Sequence, residues 1–204
     1  MIAAYIGGAD RACGNRNLSA SWVRNARKVG WHLLPTYVGL QPSCDNYSGR
    51  IHPADAAAEG RAAADDAITR AGRLGMRRGT PLYFDMEAYD TRNGSCRTGV
   101  LTFLDAWTRQ LHRRGYVSGV YSSAGSGIKD LGAARSVVGH ALDRPDSVWI
   151  GLWDGKNNLS ALPYVSGSWW SGKRRSKQYQ GPHWERHGKV RLNIDSDNVY
   201  GAMY

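Results

Sequence analysis

The chain has 204 residues, of which 42% are hydrophobic and 22% charged, an ordinary globular balance. At this length about 70% of the unfolded surface can be buried on folding, so no metal or disulfide staple is needed. Disorder, collagen, coiled coil and knottin-like folds are excluded by composition, and no apolar run reaches the ~18 residues of a membrane span. The net charge of +10 suits an anionic partner such as a wall polymer. The basic residues are mostly arginine and scattered, with Arg27-Lys28, Arg77-Arg78, Arg113-Arg114 and Lys173-Arg174-Arg175 the adjacent runs. Aromatics are skewed, with eight Trp and eleven Tyr against two Phe. Trp and Tyr pair a flat apolar face with a polar edge and so suit sugar rings as well as cores.

In chain order, Ala3–Ile6 reads as a short strand ending at Gly7-Gly8. Ser19 caps a helix that runs to Val29 and stops at Gly30. Leu33–Val38 is a strand. Pro53 opens an Ala-rich helix to Leu74, stopped by Gly75. Leu82–Phe84 is a strand running into Asp85. Thr98–Arg114 is the best amphipathic helix, with Val100, Leu101, Leu104, Trp107 and Leu111 on one face. Tyr116–Tyr121 is a strand, Ile128–Leu142 a weaker helical stretch, and Val148–Trp153 a strand. After an aromatic loop, Lys177–Gln180 and Val190–Ile194 are short strands. Seven mostly apolar strands, the first five separated by helices, predict parallel pairing under a helix layer. No G-x-G-x-x-G follows a strand, so a (β/α) barrel is favoured over a dinucleotide fold.

In such a barrel the working residues stand at the C-terminal strand ends. There Asp85-Met86-Glu87 puts two carboxyl groups on one face, because side chains alternate along a strand. Asp195-Ser196-Asp197 repeats the pattern at the last strand, and Asp154 follows Trp153 at another. Paired carboxyls in different environments are what glycoside hydrolysis needs, one as acid and one ionised. His183-Trp184-Glu185-Arg186-His187 spaces two His four apart, but it lies in a loop-like stretch and reads as a solvated loop; neither a metal nor a cofactor is expected. Trp169-Trp170 reads first as rim packing. Cys13 and Cys44 each follow a strand and are expected to meet as a disulfide, leaving Cys96 over.

The stretches LYFDMEAYD, GYVSGVYSS, WIGLWD, KQYQG and NIDSDNVYG, in this order, resemble glycoside hydrolase family 25 lysozymes. With AYIGGADRACGNRNLS and GWHLLPTYVGLQPSC, the chain resembles still more closely the exported bacterial family called the glycoside-hydrolase-like domain of unknown function 1906. The resemblance covers essentially the whole chain. It implies a TIM-type barrel, export to a secreted or wall-associated location, and a polysaccharide partner. By position, Glu87 matches the general acid, Asp85 its carboxylate neighbour and Asp195 the carboxylate of the last strand. Tyr121, Trp153, Asp154, Gln178 and Tyr179 match the lining of the sugar groove.

Residues 1–204 are therefore expected to form one monomeric glycoside-hydrolase-like domain lacking its first βα unit. The apolar start directly after Met1, without a basic leader, fits an N-terminal truncation. The gap is expected between Ala3–Ile6 and Val190–Ile194, leaving the chain less stable and weak or inactive as a hydrolase. The competing readings are a catalytically silent glycan-binding barrel and, third, a basic nucleic-acid binder; no nucleic-acid partner is expected.

Overall fold

The computed structural model describes residues 1–12 and 14–204. Seven strands form one curled sheet in the order β1 (Ile2–Gly7), β2 (Leu33–Tyr37), β3 (Pro81–Asp85), β4 (Val117–Ser123), β7 (Ser147–Gly151), β8 (Arg175–His187) and β9 (Val190–Val199). The short β5 (Ser136–Val137) and β6 (His140–Ala141) pair with each other outside it. All neighbours in the large sheet are parallel except β8 and β9. The sheet is a half-barrel whose edges are β1 and β9, which do not pair among the described residues. This is the seven-strand partial TIM-type barrel expected from the pattern, with the gap where it was expected.

Helices α1 (Ala20–Lys28), α2 (Ala56–Arg73) and α3 (Gly94–Arg113) link the first four strands. Their starts are set locally: the Trp22 N–H donates to Ser19 Oγ at 3.2 Å and the Cys96 N–H to Asn93 Oδ1 at 3.1 Å, which satisfies first-turn donors. Strand alternation then sorts two cores. Leu33, Leu82, Phe84, Val120, Val148 and Ile150 pack outward against Ile68, Leu104 and Trp107 of the helices. Leu34, Tyr83 and Trp149 point inward and pack with Met1, Ala3, Tyr121 and Met203. Gly119 makes room for the inward ring of Tyr83, since a Cβ there would lie 2.5 Å from it.

Residues 201–204 cross the floor of the half-barrel. The Gly201 N–H donates to Ser176 Oγ at 3.0 Å, Tyr83 Oη donates to the Ala202 carbonyl at 2.9 Å, and Tyr204 exchanges two 2.9 Å backbone bonds with Leu33.

Three expectations are corrected. The stretch 128–142 is not one helix: a π-turn (Ala124–Ile128) leads into α4 (Lys129–Ala133), and the β5–β6 hairpin follows. Its glycines, Gly132 and Gly139, outweigh its apolar pattern. The short strands 177–180 and 190–194 are parts of a long hairpin, β8–β9, closed by Gly188-Lys189. Residues 183–187 are thus strand and not loop. Gly188, at φ 61°, supplies the left-handed first position of a two-residue turn. Finally, Cys44 is bonded to Cys96, with Cα atoms 5.7 Å apart, so it does not pair with Cys13 and Cys96 is not left over. Cys13 lies outside the described residues. The partner that spacing along strands could not reveal is supplied by the start of α3, which packs beside the 41–50 loop.

Candidate active site

The C-terminal ends of the strands gather the acidic residues. Inward alternation on β3 places Asp85 one step beyond Tyr83, and its register partner on β4 is Tyr121. Asp85 is almost fully buried and its Oδ1 has no hydrogen-bond partner. Burial first, and the Glu87 charge second, push its carboxyl well above the usual range. Glu87, two residues on, is half-buried. Its pKa is raised as well, by burial and then by Asp45.

Gln178 on β8 ties the opposite side together. Its Oε1 accepts from Tyr121 Oη at 2.9 Å and from Trp153 Nε1 at 2.7 Å, while its Nε2 donates to Asp195 Oδ2 at 3.1 Å. Gly151 of β7 lies beneath the Tyr121 bond; a Cβ there would meet Tyr121 Oη at 2.9 Å. Asp197, one inward step below Asp195, accepts from Trp149 Nε1 at 2.7 Å. Burial lifts its pKa to about 6, against the opposing Trp149 bond. Asp195 is exposed at the mouth and is raised by partial burial, with His183 opposing. The Tyr121 hydroxyl is pushed far up, by burial first and then by the charges of Asp85, Glu87, Asp195 and Asp197 in turn. Four carboxyls, from β3, the segment just after it and β9, therefore act electrostatically on one phenol.

Trp153 presents an exposed indole, 63% accessible, at this mouth. The other two expected lining residues are placed differently. Asp154 accepts from Lys177 Nζ at 2.6 Å, and this bond holds its carboxyl below the usual range. Lys177 itself is fully buried and also donates to the Lys156 carbonyl. Asp154 is thus tied to the base of its loop and does not join the carboxyl group. The Tyr179 carbonyl accepts from the Gly155 N–H at 2.9 Å, and its side chain is partly buried.

Several residues had no motif to announce them. Buried Gln41 donates to the Asp85 and Gly39 carbonyls and accepts from the Glu87 N–H, so it fixes the backbone that aims both acids. The following loop closes on itself through Gln41–Gly49 and Ile51–Gln41 backbone bonds of 2.9 and 2.8 Å, and the Cys44–Cys96 bond anchors it to α3. It carries Asp45 and Tyr47 within electrostatic reach of Glu87. The GLQPSC stretch held this signal in its glutamine, but a glutamine after a strand has no distinctive spacing. On β8, Glu185 bridges His183 and His187 at 3.1 and 3.0 Å, and Ser196 Oγ lies 3.4 Å from His183. Among the described residues no group of His, Cys, Asp and Glu is arranged to hold a metal. A cavity of about 590 Å³, lined by Leu159, Val165, Arg175 and Tyr200 among others, lies around the loop before β8 and contains none of the four carboxyls. Trp170 of that loop is buried with its Nε1 on the Pro145 carbonyl, which makes it a packing residue.

A family model described as Rv2525c-like, glycoside hydrolase-like domain matches residues 1–199. No curated protein sequence matches. Among solved structures, an uncharacterized protein of B. stearothermophilus superposes with a TM-score of 0.55 at 18% identity, covering 99% of this chain and 86% of that one. The catalytic domain of endolysin ply40, from bacteriophage P40 of Listeria monocytogenes, gives 0.55 at 16%, covering 95% and 78%. The Clostridium perfringens spore cortex lytic enzyme SleM gives 0.55 at 15%, covering 89% of this chain and 53% of that one. At these identities the likeness is one of fold. No helix among the described residues is long and apolar enough to cross a membrane.

Proposed function

The chain belongs to the Rv2525c-like glycoside hydrolase-like family, and from that premise we propose that its carboxyl-lined mouth hydrolyses a glycosidic bond in a cell-wall glycan. The reading rests on one observation above the others: Tyr121, the register partner of Asp85, is joined through Gln178 to Asp195. Glu87 is the proton donor to the leaving oxygen. Its raised pKa keeps it protonated into the range where an exposed Glu has already ionised. Asp195, exposed and beside His183, is the ionised partner that stabilises the positive charge developing at the sugar carbon. Asp85 is buried, and burial together with the Glu87 charge raises its carboxyl well above the usual range, which favours its protonated form. The exposed face of Trp153, fixed by Gln178, stacks on a sugar ring. The place of action is the wall, outside the membrane, in keeping with the wall-lytic enzymes that share the fold.

The test is release of reducing ends from purified peptidoglycan. Glu87→Gln should lower the rate by about 10²–10⁴-fold, the range for losing a general acid, while leaving glycan binding intact. The rate should fall on the alkaline side as Glu87 loses its proton, and on the acid side as Asp195 gains one. The silent glycan-binding reading has its own support in the Trp153–Gln178 platform, which needs no acid to hold a sugar. Binding by the unaltered chain with no reducing ends released would establish that reading instead.

A further inference from the structure

The opposite end of the half-barrel has a different chemistry. In a parallel β/α arrangement every helix C-terminus and the loop after it deliver the chain to the start of the next strand, so these segments collect at one end. Here that end is basic. Arg24, Arg27 and Lys28 close α1, Arg77 and Arg78 follow α2, and Lys173 precedes β8. Direct contacts tie parts of this end together. The Arg27 guanidinium lies 4.3 Å over the Tyr204 ring, whose hydroxyl donates to the Gly75 carbonyl at 3.4 Å. The Arg78 stem runs along Gly115 after α3, where a Cβ would lie 3.3 Å from it.

Among the described residues none of these six cations has a carboxylate within ion-pair distance, although Arg114 and His112 at the same end are paired with Asp65 and Asp146. Complementing the helix dipole accounts for Arg27 and Lys28 in the last turn of α1. It does not account for Arg77, Arg78 and Lys173, which lie outside the helices. Nor does it explain the cavity of about 420 Å³ lined by Arg24, Arg27, Lys28, Gly30, Trp31 and His32. That cavity combines three cations with an indole that is 48% accessible, and no carboxylate lines it. Guanidinium groups match phosphate oxygens in pairs, and an indole offers a flat apolar face to a sugar ring.

We propose that this end docks a linear wall glycan whose charge is carried on phosphodiester groups. A sugar stacks on Trp31 and its phosphate sits among Arg24, Arg27 and Lys28. Arg77, Arg78 and Lys173 extend the contact to neighbouring repeats. The choice of a glycan over a nucleic acid rests on the wall-glycan reading above, whereas capture of the anion does not. Docking there leaves the carboxyl-lined mouth, at the other end of the strands, free to face a second polymer.

The experiment titrates the whole chain with a purified glycosylated poly(glycerol phosphate), with neutral dextran and with duplex DNA of matched charge, following tryptophan fluorescence. The phosphodiester glycan should bind, and about tenfold or more weakly when salt rises from about 50 to about 200 mM; dextran should not bind, and DNA should bind at least about tenfold more weakly than the glycan. Arg24→Gln with Lys28→Gln should cost about tenfold or more, and Trp31→Ala should weaken the glycan but not inorganic polyphosphate. Arg77→Gln with Arg78→Gln gives an independent measure should the α1 variant unfold. Absence of binding at low salt, equal affinity for DNA, or indifference to both pairs of arginine and lysine substitutions would overturn the proposal. Glu87→Gln should leave docking unchanged, so failure of the hydrolase reading and failure of docking are read separately.

Discussion

The helix-covered strands β1–β4 and the β8–β9 hairpin are built on different principles, though both supply the mouth with carboxyl groups. β2 and β3 are buried along their whole length, apolar on the face packed against α2 and α3, with Leu34 and Tyr83 beside Thr36 and Asp85 on the inward face. The hairpin is buried for its first four residues and then runs out with alternating exposure. It is held by its own ladder, by Gln178 and by Arg191 stacked 4.4 Å over Trp184. So Asp85 and Glu87 are aimed by a rigid, dry support, and Asp195 by a strand that water reaches. Burial raises all four carboxyls, Asp85 well above the usual range, and chemistry that needs one acid and one base depends on environments that differ in this way.

The largest expected effect tests the rigidity of the covered half. Phe84→Ala removes a ring packed 4.8 Å from Phe103 and 5.2 Å from Trp107, and should cost about 3–5 kcal/mol in urea unfolding. Trp184→Ala on the hairpin should cost less than about 1 kcal/mol. Equal losses would mean that the hairpin is part of the core. Next comes the bond between Cys44 and Cys96, which closes a 52-residue separation. Replacing both with Ala should cost about 2–4 kcal/mol and, by freeing the loop that bears Asp45 and Tyr47, should lower the Glu87 pKa measured by NMR titration.

A smaller effect carries a pH signature. Asp197 is raised from 3.8 to about 6, so the folded state holds its proton longer than the unfolded state. Ionising it costs stability that is lost progressively between about pH 4 and pH 6, by at most roughly 3 kcal/mol. Asp197→Asn keeps an acceptor for Trp149 and removes that cost. Its melting temperature should exceed that of the parent above pH 6 and match it at pH 4; a gain independent of pH would remove burial as the cause. The smallest effect belongs to the hairpin turn. Gly188→Ala, at φ 61°, should cost about 1 kcal/mol and leave Phe84-side hydrogen exchange untouched.

The sequence by itself determined the seven strands of the main sheet, the parallel order of the covered half, and the inward facing of Asp85 at the end of β3. Those features depend on patterns within a few residues: apolar runs of strand length, a serine at the first helix start, and the alternation of side chains along β3. Tyr121 and Trp153 were legible only through the family resemblance, which matched them by position to a sugar-groove lining. What only the tertiary structure decided are relations between distant segments. Gln41 clamps Asp85 and Glu87 across 44 to 46 residues of chain, Cys96 of α3 reaches Cys44, and Asp154 turns to a buried lysine 23 residues away. No local pattern encodes such pairings, because their energies come from close approach and desolvation, which exist only once the sheet has curled. The hairpin marks the boundary between the two. Two short stretches of it read as strands, but its polar, proline-containing arm resembles a loop until the partner strand satisfies its backbone.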